Sequence, residues 1–214
     1  MIFIKAVIFD LDGTLADSMK MWRALGYDYL KNNNIILQEK DAQEMTTMSL
    51  KMSSTFIKER FKLEKSPEAI YDEMKDIARN FYKNDCLLKI GAREILQDLK
   101  NRNYKMLLGT GTPHEFLEPF LKREDLYKYF SDIITCDGIG MKKDDPNFFL
   151  YCSEKLNSNP KEVTLIDDAF FALKAAKTLG MKTIGIYDEG NKNVLDILKS
   201  VSDQFVYTLS DIKL

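Results

Sequence analysis

Apolar positions along the chain follow two rhythms. Short runs rich in β-branched and aromatic residues occur at 4–9 (Ile-Lys-Ala-Val-Ile-Phe), 105–109, 132–135, 163–166, 182–186 and 204–207. Each is the length of a strand and predicts one buried in a sheet. Between the later runs, apolar residues recur at three- and four-residue spacing, the period of a helix with one buried face. Residues 113–123 bring Phe116, Leu117, Phe120 and Leu121 to one face, and residues 146–156 bring Phe149, Cys152 and Leu156. Residues 169–179 do the same with Ala172, Leu173, Ala176 and Leu179, then end in Lys174, Lys177 and Gly180, a C-terminal stop. Strand and helix in alternation predict an α/β fold: a Rossmann-like parallel sheet core with helices on both faces.

One stretch breaks the alternation. From Asp17 to about Leu88 only helical spacing is found: Trp22, Leu25 and Tyr29 share a face, as do Ile70, Met74, Ile77, Phe81 and Tyr82. Ser66-Pro67 has the form of an N-cap followed by a first-turn proline, and Asn32-Asn33-Asn34 that of a helix-ending turn. A simple doubly wound sheet does not insert some seventy helical residues after its first strand. The expected organisation is therefore a core of residues 1–16 and 89–214 carrying an inserted all-helical cap at 17–88.

Composition narrows the picture. Of 214 residues, 45% are hydrophobic and 30% charged, the balance of a globular protein. A formal net charge of −2 offers no general attraction to nucleic acid or anionic lipid, so neither is an expected partner. Cys86, Cys136 and Cys152 are odd in number and widely spaced, which fits reduced thiols better than disulfides or zinc. The apolar run at 1–9 is broken by Lys5 and closed by Asp10, too short for a signal peptide or a membrane span. The expected location is the cytoplasm, as a monomer or weak homodimer.

Open parallel sheets bind ligands at the carboxyl ends of their strands, and there the chemistry collects. Asp10-Leu11-Asp12-Gly13-Thr14 follows the first run, Thr110-Gly111-Thr112 the second, Lys143 the third, and Asp167-Asp168 the fourth. This set suits phosphoryl transfer. A carboxylate can attack phosphorus and divide hydrolysis into two easier steps. Its repulsion from a phosphate dianion calls for a hard cation held by oxygens, for which Mg²⁺ is suited. A Lys, a hydroxyl and N–H groups beside a Gly can hold the other phosphate oxygens. A second carboxyl can protonate the leaving oxygen and then activate water.

Asp-Leu-Asp-Gly-Thr-Leu after an N-terminal hydrophobic strand resembles the haloacid dehalogenase-like hydrolase superfamily, and the other three motifs follow in order over essentially the whole chain. The chain is most similar to its helical-cap phosphatases, the branch of phosphoglycolate phosphatase-like and β-phosphoglucomutase-like proteins. That resemblance implies Asp10 as nucleophile and Mg²⁺ ligand, and Asp12 as general acid/base with its carbonyl on the metal. It implies Thr110 and the Gly111 N–H on phosphate, Lys143 against both nucleophile and phosphate, and Asp168 on the metal with help from Asp167. Lys143 is preferred to Lys142 because it keeps the three-residue offset to Pro146. Two departures stand out: the third motif reads Lys143-Asp144-Asp145-Pro146-Asn147, and the fourth has Ala169 and Ala172 where the family commonly has Ser and Gly.

The expected activity is Mg²⁺-dependent hydrolysis of a small phosphorylated metabolite through an aspartyl-phosphate. A sugar phosphomutase of the same superfamily is the alternative. Mutase-type relatives carry a His shortly after the first motif, where this chain has Trp22. A dehalogenase is disfavoured because Asp12 is present, and a signalling receiver because motif order differs and a cap is inserted. A catalytically inactive phospho-ligand-binding protein is the alternative from another class. In the cap, Met19, Met21, Met45, Met48 and Met52 are expected mostly in the core, with Met48 or Met52 as possible substrate neighbours. The segment Thr46-Thr47-Met48-Ser49-Leu50-Lys51 sits where relatives place a substrate-reading loop, which makes Lys51 a candidate contact. His114, the only histidine, is read as an exposed first-turn residue.

Overall fold

Val7, Ile8 and Phe9 are wholly buried, as the middle strand of a parallel sheet covered on both faces must be. In a computed structural model describing residues 5–38, 40–41, 45, 48 and 50–214, this strand is β1 (Ala6–Phe9). It is joined by β2 (Lys105–Thr110), β3 (Asp132–Thr135), β4 (Val163–Asp167), β5 (Lys182–Ile186) and β6 (Gln204–Val206). All pairings are parallel and the strand order is β3-β2-β1-β4-β5-β6. The six runs read from the sequence are these six strands; Ile4, the first residue of the first run, lies outside the described residues. The chain lays β2 and β3 on one side of β1, then crosses to lay β4 on the other. Such a reversal opens a crevice past the strand ends.

Two helices prefigured by apolar spacing, α7 (Pro146–Lys155) and α8 (Phe170–Thr178), share a core with Ala6, Ile8, Leu107 and Leu165. Val7 and Phe9 point the other way, Phe9 meeting Phe130 edge-on at 6.4 Å. The buried faces of α4 (Ala92–Asn101; Leu96, Leu99) and α5 (His114–Arg123; Phe116, Leu117, Phe120, Leu121) contribute nothing to the first core. Two short helices, α6 (Cys136–Ile139) and α9 (Leu195–Ser200), also lie in this part of the chain. Gly180 closes α8 at φ 76°, the left-handed stop the sequence anticipates. The three cysteines are free.

The chain divides into two compact units, Met1–Met19 with Cys86–Leu214, and Lys20–Asp85. Among its described residues the second is helical: α1 (Met19–Asn32, which begins in the first unit), α2 (Leu50–Phe61) and α3 (Pro67–Asn84). Its core is Leu25, Tyr29, Leu30, Ile57, Ile70, Met74 and Ala78, with Trp22 and Met45 packed against it. Ser66 caps α3 by accepting from the Ala69 N–H at 3.2 Å, with Pro67 in the first turn. Asn34, past the end of α1, sits at φ 59° as a turn residue. Met52, one of the two methionines set apart from the expected core, is 58% exposed. Thr46, Thr47 and Ser49 of the proposed substrate-reading loop lie outside the described residues. Among the described residues no helix is long and apolar enough to cross a membrane.

Candidate active site

The register of the sheet brings the first and fourth motifs together. Phe9 pairs with Ile166 across β1 and β4, so the next residues, Asp10 and Asp167, emerge side by side at the carboxyl edge. The Asp10 N–H donates to the Ile166 carbonyl at 3.0 Å, extending the ladder one step beyond the strand. Asp168 follows, and oxygens of Asp10, Asp167 and Asp168 all lie within 4.8 Å of one another. Lys143 reaches this group from the segment before α7. Its Nζ lies 2.6 Å from Asp10 Oδ1 and 2.5 Å from Asp167 Oδ2, and only 8% of the residue is exposed. Lys142 is exposed, so the geometry selects Lys143.

Three carboxylates and one ammonium leave excess negative charge away from water. Burial is the largest push on Asp10; Lys143 opposes it while Asp167 and Asp12 add to it, and the pKa rises from 3.8 to about 7. Burial likewise holds Asp168 well above the usual carboxylate range, with Asp10 and Asp167 next in weight. For Lys143, burial works against the charge, but Asp10 and Asp167 outweigh it and keep the ammonium protonated. An all-carboxylate donor set short of positive charge fits a hard divalent cation. Asp167 has a local task as well: its Oδ1 accepts the Ala169 N–H at 2.9 Å, at the start of α8.

Asp12 is held differently. Its Oδ1 accepts from Ser18 Oγ at 2.6 Å, and its Oδ2 from Thr112 Oγ1 at 2.6 Å and Thr110 Oγ1 at 3.5 Å. Three hydroxyl donors thus fix the orientation of this carboxylate. Gly13 then turns the chain at φ 81°, and a Cβ there would come within 2.4 Å of Asp168 Oδ2, so only glycine fits. Thr110 is fully buried at the end of β2, accepting the Thr112 N–H at 3.0 Å. Gly111 is exposed, with nothing within 4 Å of where a Cβ would stand.

The haloacid dehalogenase-like hydrolase model matches residues 7–186, from the first strand through the fifth. The chain belongs to this family. A phosphorylated carbohydrates phosphatase from Thermotoga maritima is 29% identical over 187 residues, covering 85% of this chain and 84% of that one. Among solved structures, a predicted phosphoglycolate phosphatase from Haemophilus somnus superposes with a TM-score of 0.80 at 21% identity, covering 99% of this chain and 97% of that one. A β-phosphoglucomutase from Clostridium difficile gives 0.70 at 22%, covering 99% and 94%. At these identities the structures establish the shared fold.

Within this hydrolase, Asp10, Asp12, Thr110, Lys143, Asp167 and Asp168 all gather in the sheet-containing unit, as the sequence reading requires. Lys51 lies in the helical unit, exposed near the start of α2. His114 is the exposed first residue of α5. Four residues at or beside the site escaped the sequence reading, and a fifth, Thr112, was read with its motif but given no task. Ser18 and Thr112 hold Asp12. Lys89 donates to the Gly13 and Tyr187 carbonyls, both at 2.7 Å, and lies 3.3 Å from Asp188 Oδ2. Asn191 donates to Asp168 twice. Asp188 and Asn191 follow β5, so the rule of looking past each strand end, carried one strand further, points to them.

Proposed function

We propose that this hydrolase is a Mg²⁺-dependent phosphatase that cleaves a small phosphorylated metabolite through an aspartyl-phosphate on Asp10. The observation that carries the reading is the Lys143 ammonium set between Asp10 and Asp167, with Asp168 completing a buried carboxylate cluster and Asp12 held separately by hydroxyls. Asp10, Asp167, Asp168 and the Asp12 carbonyl are the groups that would hold Mg²⁺. Bound there, the ion supplies charge that keeps Asp10 ionised and screens it from the incoming phosphate.

In the first half-reaction an Asp10 oxygen attacks phosphorus, and the bond from phosphorus to the ester oxygen breaks. Protonated Asp12 gives its proton to that departing oxygen. In the second half, Asp12 takes a proton from water as the water oxygen attacks phosphorus; the acyl-phosphate bond breaks and Asp10 is regenerated. Lys143 holds Asp10 in position and offers charge to the phosphoryl oxygens. Thr110 and the Gly111 N–H lie on the same edge to receive the others. The name of the Thermotoga relative and the composition of the site favour sugar phosphates and related small esters as substrates. Trp22 supports hydrolysis over phosphoryl return, because it stands where mutase-type relatives carry a His that helps organise the cap; its indole Nε1 donates to Tyr82 Oη at 2.9 Å within the helical unit. The Lys20–Asp85 unit is proposed as the cap that closes over bound substrate and excludes bulk water, with the chain acting as a cytoplasmic monomer or weak homodimer.

The test is a screen of sugar phosphates, phosphoglycolate and nucleotides with Mg²⁺ or with excess EDTA, alongside Asp10→Asn. Release of phosphate that needs both Mg²⁺ and Asp10 is expected. Full activity in EDTA, or in Asp10→Asn, sinks the reading.

A further inference from the structure

Asp168 gains no side-chain donor from its own segment. Ala169 follows it and forms the N-cap of α8 without a side-chain hydrogen bond, and Phe170 and Phe171 come next. The donor arrives from across the sheet edge. Asn191, in the 3₁₀ turn Glu189–Val194 after β5, points its Nδ2 at Asp168, 2.8 Å from the main-chain carbonyl and 2.6 Å from Oδ2. One amide nitrogen carries two N–H groups, so it can serve both acceptors and fix the rotation of the carboxylate.

Asn191 is itself fixed. Its N–H donates to the Asp188 carbonyl at 2.9 Å, and Asp188 Oδ1 accepts the Gly190 N–H at 2.8 Å, which closes the turn. Lys89 ties that turn to the loop of the first motif through the Tyr187 and Gly13 carbonyls and Asp188. Gly13 lies against the same Asp168 oxygen that accepts from Asn191. The carboxylate is thus bounded by a glycine on one side and an amide on the other.

We infer that Asn191 is a positioning residue for Asp168: its side-chain amide, delivered from the turn after β5, sets the carboxylate for cation binding where the Asp168 segment supplies only Ala169. This rests on the reading of Asp168 as a ligand of a divalent cation. Groups that orient metal ligands matter nearly as much as the ligands, and their loss typically weakens metal binding about 10- to 100-fold.

The experiment follows melting temperature against MgCl₂ concentration for the full chain as wild type, Asn191→Ala and Asn191→Leu. The leucine keeps the volume of asparagine without its donors, and gives a second measurement if alanine loosens the turn. Both variants should need about 10- to 100-fold more Mg²⁺ for half-maximal stabilisation. With phosphate ester as substrate, saturating Mg²⁺ should restore most of kcat. A merely structural role would lower the metal-free melting temperature and leave half-saturation within about twofold of wild type, and that result overturns the inference. If the wild type responds to Mg²⁺ and depends on Asp10 in that case, the phosphatase reading survives. A wild type that shows no response to Mg²⁺ overturns both.

Discussion

The two units of this chain both bury an apolar core but differ in the charge they bury beside it. The sheet-containing unit buries Asp10, Lys143, Asp167, Asp168 and Asp188, with the carboxylates outnumbering the ammonium group. In the helical unit the buried carboxylate among the described residues is Asp41, paired with Arg60 at 2.8 Å; otherwise Leu25, Ile57, Ile70 and Met74 fill a conventional apolar core. Burying like charges together works against folding. A strained cluster of this kind, at the open edge of a parallel sheet, marks the unit where reaction chemistry takes place. Among its described residues the helical unit buries no such cluster, so substitutions in the two units should separate cleanly into effects on chemistry and effects on stability.

After the loss of turnover expected of Asp10→Asn, the largest effect should come from Asp12→Asn. The substitution leaves Asp10 and Lys143 in place and removes the proton donor and base. General acid/base contributions are typically about 10² to 10⁴-fold, which sets the expected fall in turnover. With p-nitrophenyl phosphate the leaving group needs little protonation, so attack should outlast hydrolysis and a phosphoenzyme should accumulate. Rapid-quench mass spectrometry should find the phosphoryl group on the peptide containing Asp10. A label on any other residue removes Asp10 from its assigned role.

The contrast between the units also explains what could be read from sequence. The six strands were legible because strands buried on both faces need unbroken runs such as Ala6–Phe9 and Val163–Asp167. The first, second and fourth motifs were legible because each sits at a strand end, where local order becomes spatial order. Lys143 was legible through its offset to Pro146. Contacts made by the returning chain were not. Ser18 lies six residues after Asp12 and Thr112 a hundred, yet both meet at its carboxylate, and nothing local announces that meeting. Asn191 reads as turn composition among Gly190, Lys192 and Asn193; its task exists only once β5 and β4 pair. The helix Ala92–Asn101 went unassigned, although Ile95, Leu96 and Leu99 give it a helical face. In the helical unit, amphipathic spacing revealed Leu25, Tyr29, Ile70 and Met74 as core, but a substrate-reading role has no comparable spacing signal.

A core truncation in the helical unit tests the other half of the contrast. Met74 is 1% exposed within that core. Met74→Ala should cost about 2–5 kcal/mol of stability, from lost burial plus the cavity left behind. Because Asp10, Asp167 and Asp168 belong to the other unit, the Mg²⁺ concentration for half-maximal stabilisation should not move. A large change there would break the separation between the units.

Next in size is a pH effect confined to the sheet-containing unit. Asp10 has a folded pKa of about 7 against 3.8 unfolded, so between these values the folded chain holds a proton that the unfolded chain has lost. Stability therefore falls as pH rises through this window, and the contribution is complete only below the unfolded value. In EDTA, the wild type should lose more melting temperature from pH 5 to pH 7.5 than Asp10→Asn, which has nothing to titrate at that position. Mg²⁺ should shrink the difference by favouring the ionised carboxylate. Equal slopes for the two proteins in EDTA would show that Asp10 titrates in its ordinary range.

The smallest predicted effect lies at the first turn of α3. The four leading N–H groups of a helix lack partners within it, and Ser66 Oγ supplies one by accepting from Ala69 at 3.2 Å. Pro67, which has no N–H to satisfy, removes another orphan and is already set at a helical φ. Ser66→Ala keeps the proline but takes away the acceptor, and such losses typically cost about 1 kcal/mol. Ser66→Asp should recover that cost, since its carboxylate both accepts the N–H and sits favourably at the positive end of the helix. Neither substitution should alter turnover at saturating Mg²⁺ and substrate, because α3 carries none of the reacting groups. Chemical denaturation of the two variants checks the order alanine below wild type, with aspartate at or above it. If alanine proves as stable as wild type, Pro67 and the apolar face of α3 hold its first turn without the Ser66 hydroxyl. If instead turnover falls with the cap, the helical unit reaches further into the chemistry than its conventional core suggests, and the division between the two units fails at its weakest point.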